Sequence, residues 1–149
     1  MSHDAQSHGS CLCGGVKVTL PKKLTDVGVC HCDMCRRWTS GPWMALQCPN
    51  ATIEGETLTI FKSSSFAERG FCRACGSAIF HRPIGGQELA ISAGLFDQSD
   101  FVIEREIFFE RKPPYYRFEA ESEKKTSLAL AFEWGPKLLW RQLKRIAGR

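Results

Sequence analysis

Hydrophobic and polar positions alternate with period two in several short runs, each bounded by turn residues. Val16–Leu20 is one, and Thr57–Phe61 is another, after Glu54-Gly55-Glu56. Ser77–His81 and Glu88–Ser92 read the same way, and Phe101–Phe109 is rich in β-branched and aromatic residues. Pro113-Pro114 ends any regular element there. This spacing predicts a mainly β, largely antiparallel domain. One short helical stretch is expected from Asp33 to Trp38, stopped by Ser40-Gly41-Pro42. Glu119–Lys125 is charged and reads as a loop. Periodicity does not decide between strand and helix for Thr126–Trp134. Gly135-Pro136 then opens a helix over Lys137–Ile146, with Leu139, Leu143 and Ile146 on one face. The expected division is a domain over residues 1–121 and a basic, helical extension over 122–149.

With 149 residues the chain can bury one real core. No apolar run approaches the roughly 20 residues that cross a bilayer, and the polar first residues carry no apolar signal region. A soluble, cytoplasmic protein is the expectation. The net charge of +4 is modest and sits in the tail, where Lys137, Arg141, Lys144, Arg145 and Arg149 occur with no acid. A solvated helix face is the first reading, with an acidic partner or a membrane surface as the alternative. No aromatic-interleaved basic stripe points to nucleic acid. The tail's apolar face can pack on the body or on a second subunit, so a homo-oligomer stays open.

Cysteine spacing carries the chemistry. Seven of the eight cysteines form three clusters: Cys11 and Cys13; Cys30, Cys32 and Cys35; Cys72 and Cys75. In a reducing compartment such clusters hold metal more often than they form disulfides. Zinc takes thiolate sulfur in a tetrahedron, closed by four protein ligands in structural sites and left with an open position in reactive ones. Seven ligands divide most naturally as four plus three. Gly14, Gly15 and Gly76 follow the C-x-C and C-x-x-C pairs, where glycine lets backbone N–H groups approach sulfur. Cys11, Cys13, Cys72 and Cys75 are therefore paired as the closed site. Cys30, Cys32 and Cys35 remain as a site with an open vertex, suited to water, hydroxide or an incoming thiolate. Arg36, Arg37, Arg69 and Arg73 adjoin the clusters, where they can offset thiolate charge or hold substrate carboxylates. His31 is disfavoured as a ligand because its neighbours pull the turn the other way. His81 and Asp97 read as structural, Cys48 as a small buried hydrophobe, and Trp38, Trp43 and Phe71 as core.

Three motifs in order are specific where any one alone is not. They are Gly9-x-Cys11-x-Cys13-Gly14-x-Val16, Cys30-His31-Cys32-x-x-Cys35-Arg36-Arg37, and Arg69-x-Phe71-Cys72-x-x-Cys75-Gly76-Ser77. Together with Gly94-Leu95-x-Asp97 they resemble the glutathione-dependent formaldehyde-activating enzyme family, also called the GFA or CENP-V domain family, over about residues 7 to 118. The resemblance implies a β-tent, Mss4-like fold of small antiparallel sheets around zinc. It implies two Zn²⁺ ions per chain, a structural one on Cys11, Cys13, Cys72 and Cys75 and a weaker, more labile one on Cys30, Cys32 and Cys35. It implies a carbon–sulfur lyase class reaction joining glutathione and formaldehyde into S-hydroxymethylglutathione. The alternative is a non-catalytic zinc or thiol-binding module, or an interaction protein.

Overall fold

The structure is a computed structural model that describes residues 5–147, so the first four residues and the basic Arg149 lie outside it. Strands dominate. In chain order they are β1 (Ser7–Ser10), β2 (Lys17–Leu20), β3 (Asp26–Cys30), β4 (Trp43–Gln47), β5 (Thr52–Glu54), β6 (Leu58–Lys62), β7 (Ala67–Cys72), β8 (Ala78–Pro83), β9 (Ala90–Ser92), β10 (Val102–Ile107) and β11 (Glu123–Lys125). Helix α1 (Asp33–Thr39) follows β3, and α2 (Ser127–Ala147) ends the described chain.

Two sheets form. The small one has the order β1-β2-β5, and the large one runs β11-β10-β3-β4-β9-β8-β7-β6. Alternation along β2 explains the packing: Val18 and Leu20 are buried while Lys17 is exposed. With Val16, Val27, Val29, Leu46, Ile79, Phe80 and Ile91 they make the main core. Gly70 on β7 lies directly under the Phe80 ring, where an added Cβ would come within 2.2 Å of it. A second, smaller core gathers Cys30, Cys32, Cys35, Trp43, Ala45 and Ala90 under Trp38, Ile107 and Phe108. The arrangement is the mainly β, β-tent type, with cysteine clusters at the sheet ends.

The largely antiparallel expectation holds, with one parallel strand, and two other expectations change. Most strand pairs are antiparallel, but β10 runs parallel to both β3 and β11. The segment expected as a loop at Glu119–Lys125 ends in β11, whose pairing with β10 is long-range and has no sequence period of its own. Gly135-Pro136 does not open a helix, since α2 already runs from Ser127 and passes through it. Proline removes the N–H that would bond the carbonyl four residues back. Here that carbonyl belongs to Phe132, and both Phe132 and Pro136 are solvent-exposed, so water can satisfy it. Among the described residues no helix is long and apolar enough to cross a membrane.

Candidate metal centres

The first cluster is built by two similar turns. In the N-terminal turn Cys11 N donates to Val16 O, Gly14 N to Cys11 O, and Val16 N to the Cys11 sulfur at 3.2 Å. In the turn between β7 and β8, Cys72 N donates to Ser77 O and Gly76 N to Cys72 O. Gly14 and Gly76 hold φ of +75° and +77° with open space where a Cβ would stand, so backbone conformation alone selects glycine. Leu12 N donates to the Ser77 hydroxyl at 3.1 Å, clasping the two turns together.

This brings Cys11, Cys13, Cys72 and Cys75 together, with all four sulfurs within 4.8 Å of one another. The Cys11–Cys13 and Cys13–Cys72 sulfurs are 3.6 and 3.7 Å apart. A tetrahedron with Zn–S of about 2.3 Å has edges of about 3.8 Å, whereas a disulfide needs about 2.05 Å. The donor set fits a tetrahedral thiolate metal. Ser77, through its hydroxyl and backbone N–H, draws Cys75 down to about 5, so this sulfur is ready to ionise.

The second cluster sits where β3 runs into α1. Cys30 ends the strand. Cys32 caps the helix, its sulfur accepting from Cys35 N at 3.4 Å, and Cys35 lies in the first turn. All three are buried and their sulfurs lie within 4.8 Å of one another. The cluster holds its protons unevenly. Hydrogen bonds from the Cys30 and Cys35 thiols, then the Cys35 N–H and the Arg69 charge, draw Cys32 down to about 2. The same bonds, with burial, push Cys30 far up. A Cys30 hydrogen bond favours the Cys35 thiolate, but Cys32 and burial raise Cys35 overall to about 11. One sulfur ionises readily and resists ionisation of the others, so three thiolates require a cation among them. A divalent thiophilic metal with three protein ligands meets that requirement.

Arg69, on β7, is 4% exposed. Its guanidinium lies 4.6 Å from the Trp38 ring centroid and 6.0 Å from that of Trp43, and Nη2 donates to the Cys35 sulfur at 3.5 Å. Nη1 is buried with no hydrogen-bond partner among the described residues. Its charge would balance a divalent metal held by three thiolates, a unit of net −1. Trp38 and Trp43 are core residues as expected, and they also wall this site, with Trp43 Nε1 donating to Ser92 Oγ at 3.0 Å. His81 pairs directly with Arg69 across β7 and β8, so both project from one face. Burial and the Arg69 charge lower His81 to about 4, so it is neutral near pH 7. Reading His81 as an isolated residue missed this pairing, and the 12-residue separation in sequence held no signal for it.

His31 is pinned away from the sulfurs. Its Nε2–H donates to Glu106 Oε2 at 2.8 Å, because a carboxylate can only accept, and its Nδ1 accepts from the Tyr116 hydroxyl at 2.8 Å. Ser122 donates to the other Glu106 oxygen at 2.6 Å. Burial lowers the His31 pKa against the pull of Glu106. Burial also opposes the charged form of Glu106, but Ser122 and His31 overcome it and leave its pKa lowered. The chain's backbone completes the clamp: His31 N donates to Ile107 O, and Arg36 Nε to His31 O at 3.0 Å. This network fixes the strand end between Cys30 and Cys32.

Arg36 is largely committed, also pairing with Asp33 at 2.5 Å. Arg37 is exposed. Both line an open hollow of about 310 Å³ with Asp33, Ser40 and Tyr115. Arg73 donates to Glu56 O at 2.7 Å, a turn-bracing role. Cys48 is buried outside both clusters, and Asp97 is exposed.

Residues 6–111 match the family model described as glutathione-dependent formaldehyde-activating enzyme. A Schizosaccharomyces pombe protein named as an uncharacterized lyase is 32% identical over 114 residues, covering 74% of this chain and 83% of that protein. A crystal structure of a Rhodobacter sphaeroides protein superposes with a TM-score of 0.49 at 23% identity, covering 62% of this chain and 89% of the other.

Proposed function

Because the chain belongs to the glutathione-dependent formaldehyde-activating enzyme family, we propose that it is a zinc-dependent carbon–sulfur lyase-type enzyme acting on a thiol, glutathione foremost, and an aldehyde such as formaldehyde. In this reading Cys11, Cys13, Cys72 and Cys75 hold a structural zinc. Cys30, Cys32 and Cys35 hold a second zinc with one position open. Such a position supplies a substrate thiol as its anion near neutral pH. The cytoplasm is the proposed compartment, since it keeps clustered thiols reduced.

The chain's own residues supply the rest. The substrate sulfur forms a bond to the carbonyl carbon, the π electrons move to oxygen, and the oxygen takes up the proton that the thiol released. Nothing is oxidised, and the reverse elimination gives the lyase class. The observation that carries this reading is the unpartnered Nη1 of Arg69 beside the three sulfurs. A buried N–H donor of this kind suits a carbonyl oxygen as it gains negative charge, and such a donor is worth about 10²–10³ in rate. His81, neutral and on the same sheet face, is suited to carry the proton to that oxygen. Trp38 and Trp43 keep the Arg69 charge out of water, which strengthens it. Arg37 and Tyr115 at the open hollow suit a substrate carboxylate.

Formaldehyde adds to thiols unaided, so the test is acceleration. The zinc-loaded chain should speed adduct formation between glutathione and formaldehyde, followed by NMR, well above the uncatalysed exchange. Arg69→Gln should lose about 100-fold of that acceleration when compared at matched zinc loading. A fully loaded chain that binds glutathione without any acceleration would be a thiol-binding module instead.

A further inference from the structure

Helix α2 presents two unlike sides. Leu130, Trp134 and Leu138 face the body: Leu130 is buried, Trp134 meets the Phe108 ring edge-on at 6.3 Å, and Leu138 is half-buried. Arg141 pairs with Glu88 and ties the second half of the helix to the β8–β9 connection. On the opposite side Leu128, Phe132, Leu139, Leu143 and Ile146 follow one another at helical spacing, and Trp140 flanks them. These six are between 55% and 77% exposed. Lone exposed apolar residues are ordinary, but a continuous row along a 21-residue helix is not.

Charge selects what covers this row. No acid occurs after Glu133, and the helix surface away from the apolar row is basic: Lys137, Lys144 and Arg145 are exposed, while Arg141 is held by Glu88 on the body side. Glu133 itself pairs with Lys125 and Arg105. A second copy laid face to face offers no acid beyond Glu133 to pair with these cations. The seam would also be broken, because the heptad positions between the leucines are Gly135 and Gln142, with Pro136 beside them. An anionic lipid surface meets both features: it complements the lysines and arginines and needs no interdigitating seam. Lys144 lies over the Trp140 ring at 3.7 Å, placing an ammonium and an indole side by side at the edge of the apolar face. That is the headgroup depth where Trp is favoured and Lys reaches outward.

We infer that the outward face of α2 is a docking surface for membranes bearing anionic lipid headgroups. It lies apart from the cysteine clusters and stands or falls without the lyase reading. The test is co-sedimentation of the full, metal-loaded chain with phosphatidylcholine vesicles, with and without ~30% phosphatidylserine, at two salt concentrations. Two double variants accompany it: Leu139→Gln with Leu143→Gln, and Lys137→Gln with Lys144→Gln. All four side chains are exposed, so folding should be unchanged, and zinc content verifies it. Binding should favour the anionic vesicles, weaken with salt, and fall at least tenfold in each double variant, about fivefold for each lysine lost. The inference is overturned if binding ignores phosphatidylserine, if the leucine variant binds as the parent does, or if the chain is a dimer that the leucine variant dissociates.

Discussion

Arg69 and His31 show how much a single buried residue constrains the second cluster. Arg69 was legible as a residue beside a metal motif, but the two indole rings packed beside it come from positions 38 and 43. His31 lies in the motif itself, yet its partners Glu106 and Tyr116 are 75 and 85 residues away, and only the fold joins them. Glu106→Ala leaves the His31 N–H buried without an acceptor, and should cost about 2–3 kcal/mol in chemical denaturation. Tyr116→Phe, which removes one neutral hydrogen bond, should cost about 1 kcal/mol. His81 gives a pH signature. Its folded pKa, about 4, lies below its unfolded value, so the unfolded chain binds the extra proton. Stability from this residue is full above the unfolded pKa of about 6.5 and declines as pH falls toward 4. His81→Gln should make the fall in stability over that window shallower than in the parent, measured at matched zinc content.

Elements differ in how openly the sequence declares them. Lys17–Leu20 shows its strand period because Val18 and Leu20 pack on the core. Strand direction does not show, since period two is the same in parallel and antiparallel pairs. Hence Phe101–Phe109 reads as a strand, but the parallel pairing of β10 with β3 and β11 does not show. The sequence leaves Thr126–Trp134 undecided and reads Gly135-Pro136 as a helix start, because proline is favoured in a first helical turn; α2 instead runs through it, and solvent replaces the lost bond. The contacts of this helix divide at the same point. Before Gly135, Leu130 is buried and Trp134 meets Phe108, and Phe108 packs on the second cysteine cluster. Beyond it, the Arg141–Glu88 pair and half-buried Leu138 are the main anchors. A chain ending at Gly135 should therefore keep its zinc and its glutathione affinity, with a modest drop in Tm. A chain ending at Glu121 should lose considerably more stability, since it also removes β11, Leu130 and Trp134. In the cysteine turns, Gly76→Ala forces a side chain into φ of +77° and should cost about 1–2 kcal/mol, with zinc affinity reduced in parallel.

For the whole molecule, the division of cysteines into four and three is the decisive feature. The spacing alone suggested it, since two short pairs make one tetrahedron and three sulfurs are left. The fold now adds the reason for each position. The four-sulfur cluster joins the turn before β2 to the turn after β7, across 59 residues between Cys13 and Cys72. Metal bound there closes a long loop and contributes to folding directly. The three-sulfur cluster lies within six residues of chain and closes no long loop. It is also held from outside by the His31 clamp and by Arg69. Loss of its metal should leave the fold standing. The measurement that tests this most directly is zinc per chain, with glutathione binding on the same samples, for the parent, Cys72→Ser and Cys32→Ser. The account predicts two zinc ions and thiol binding in the parent, insoluble or unfolded Cys72→Ser, and a folded Cys32→Ser with one zinc and no thiol binding. A Cys32→Ser chain that retains two zinc ions or loses both, or a Cys72→Ser chain that folds with full zinc, would contradict it.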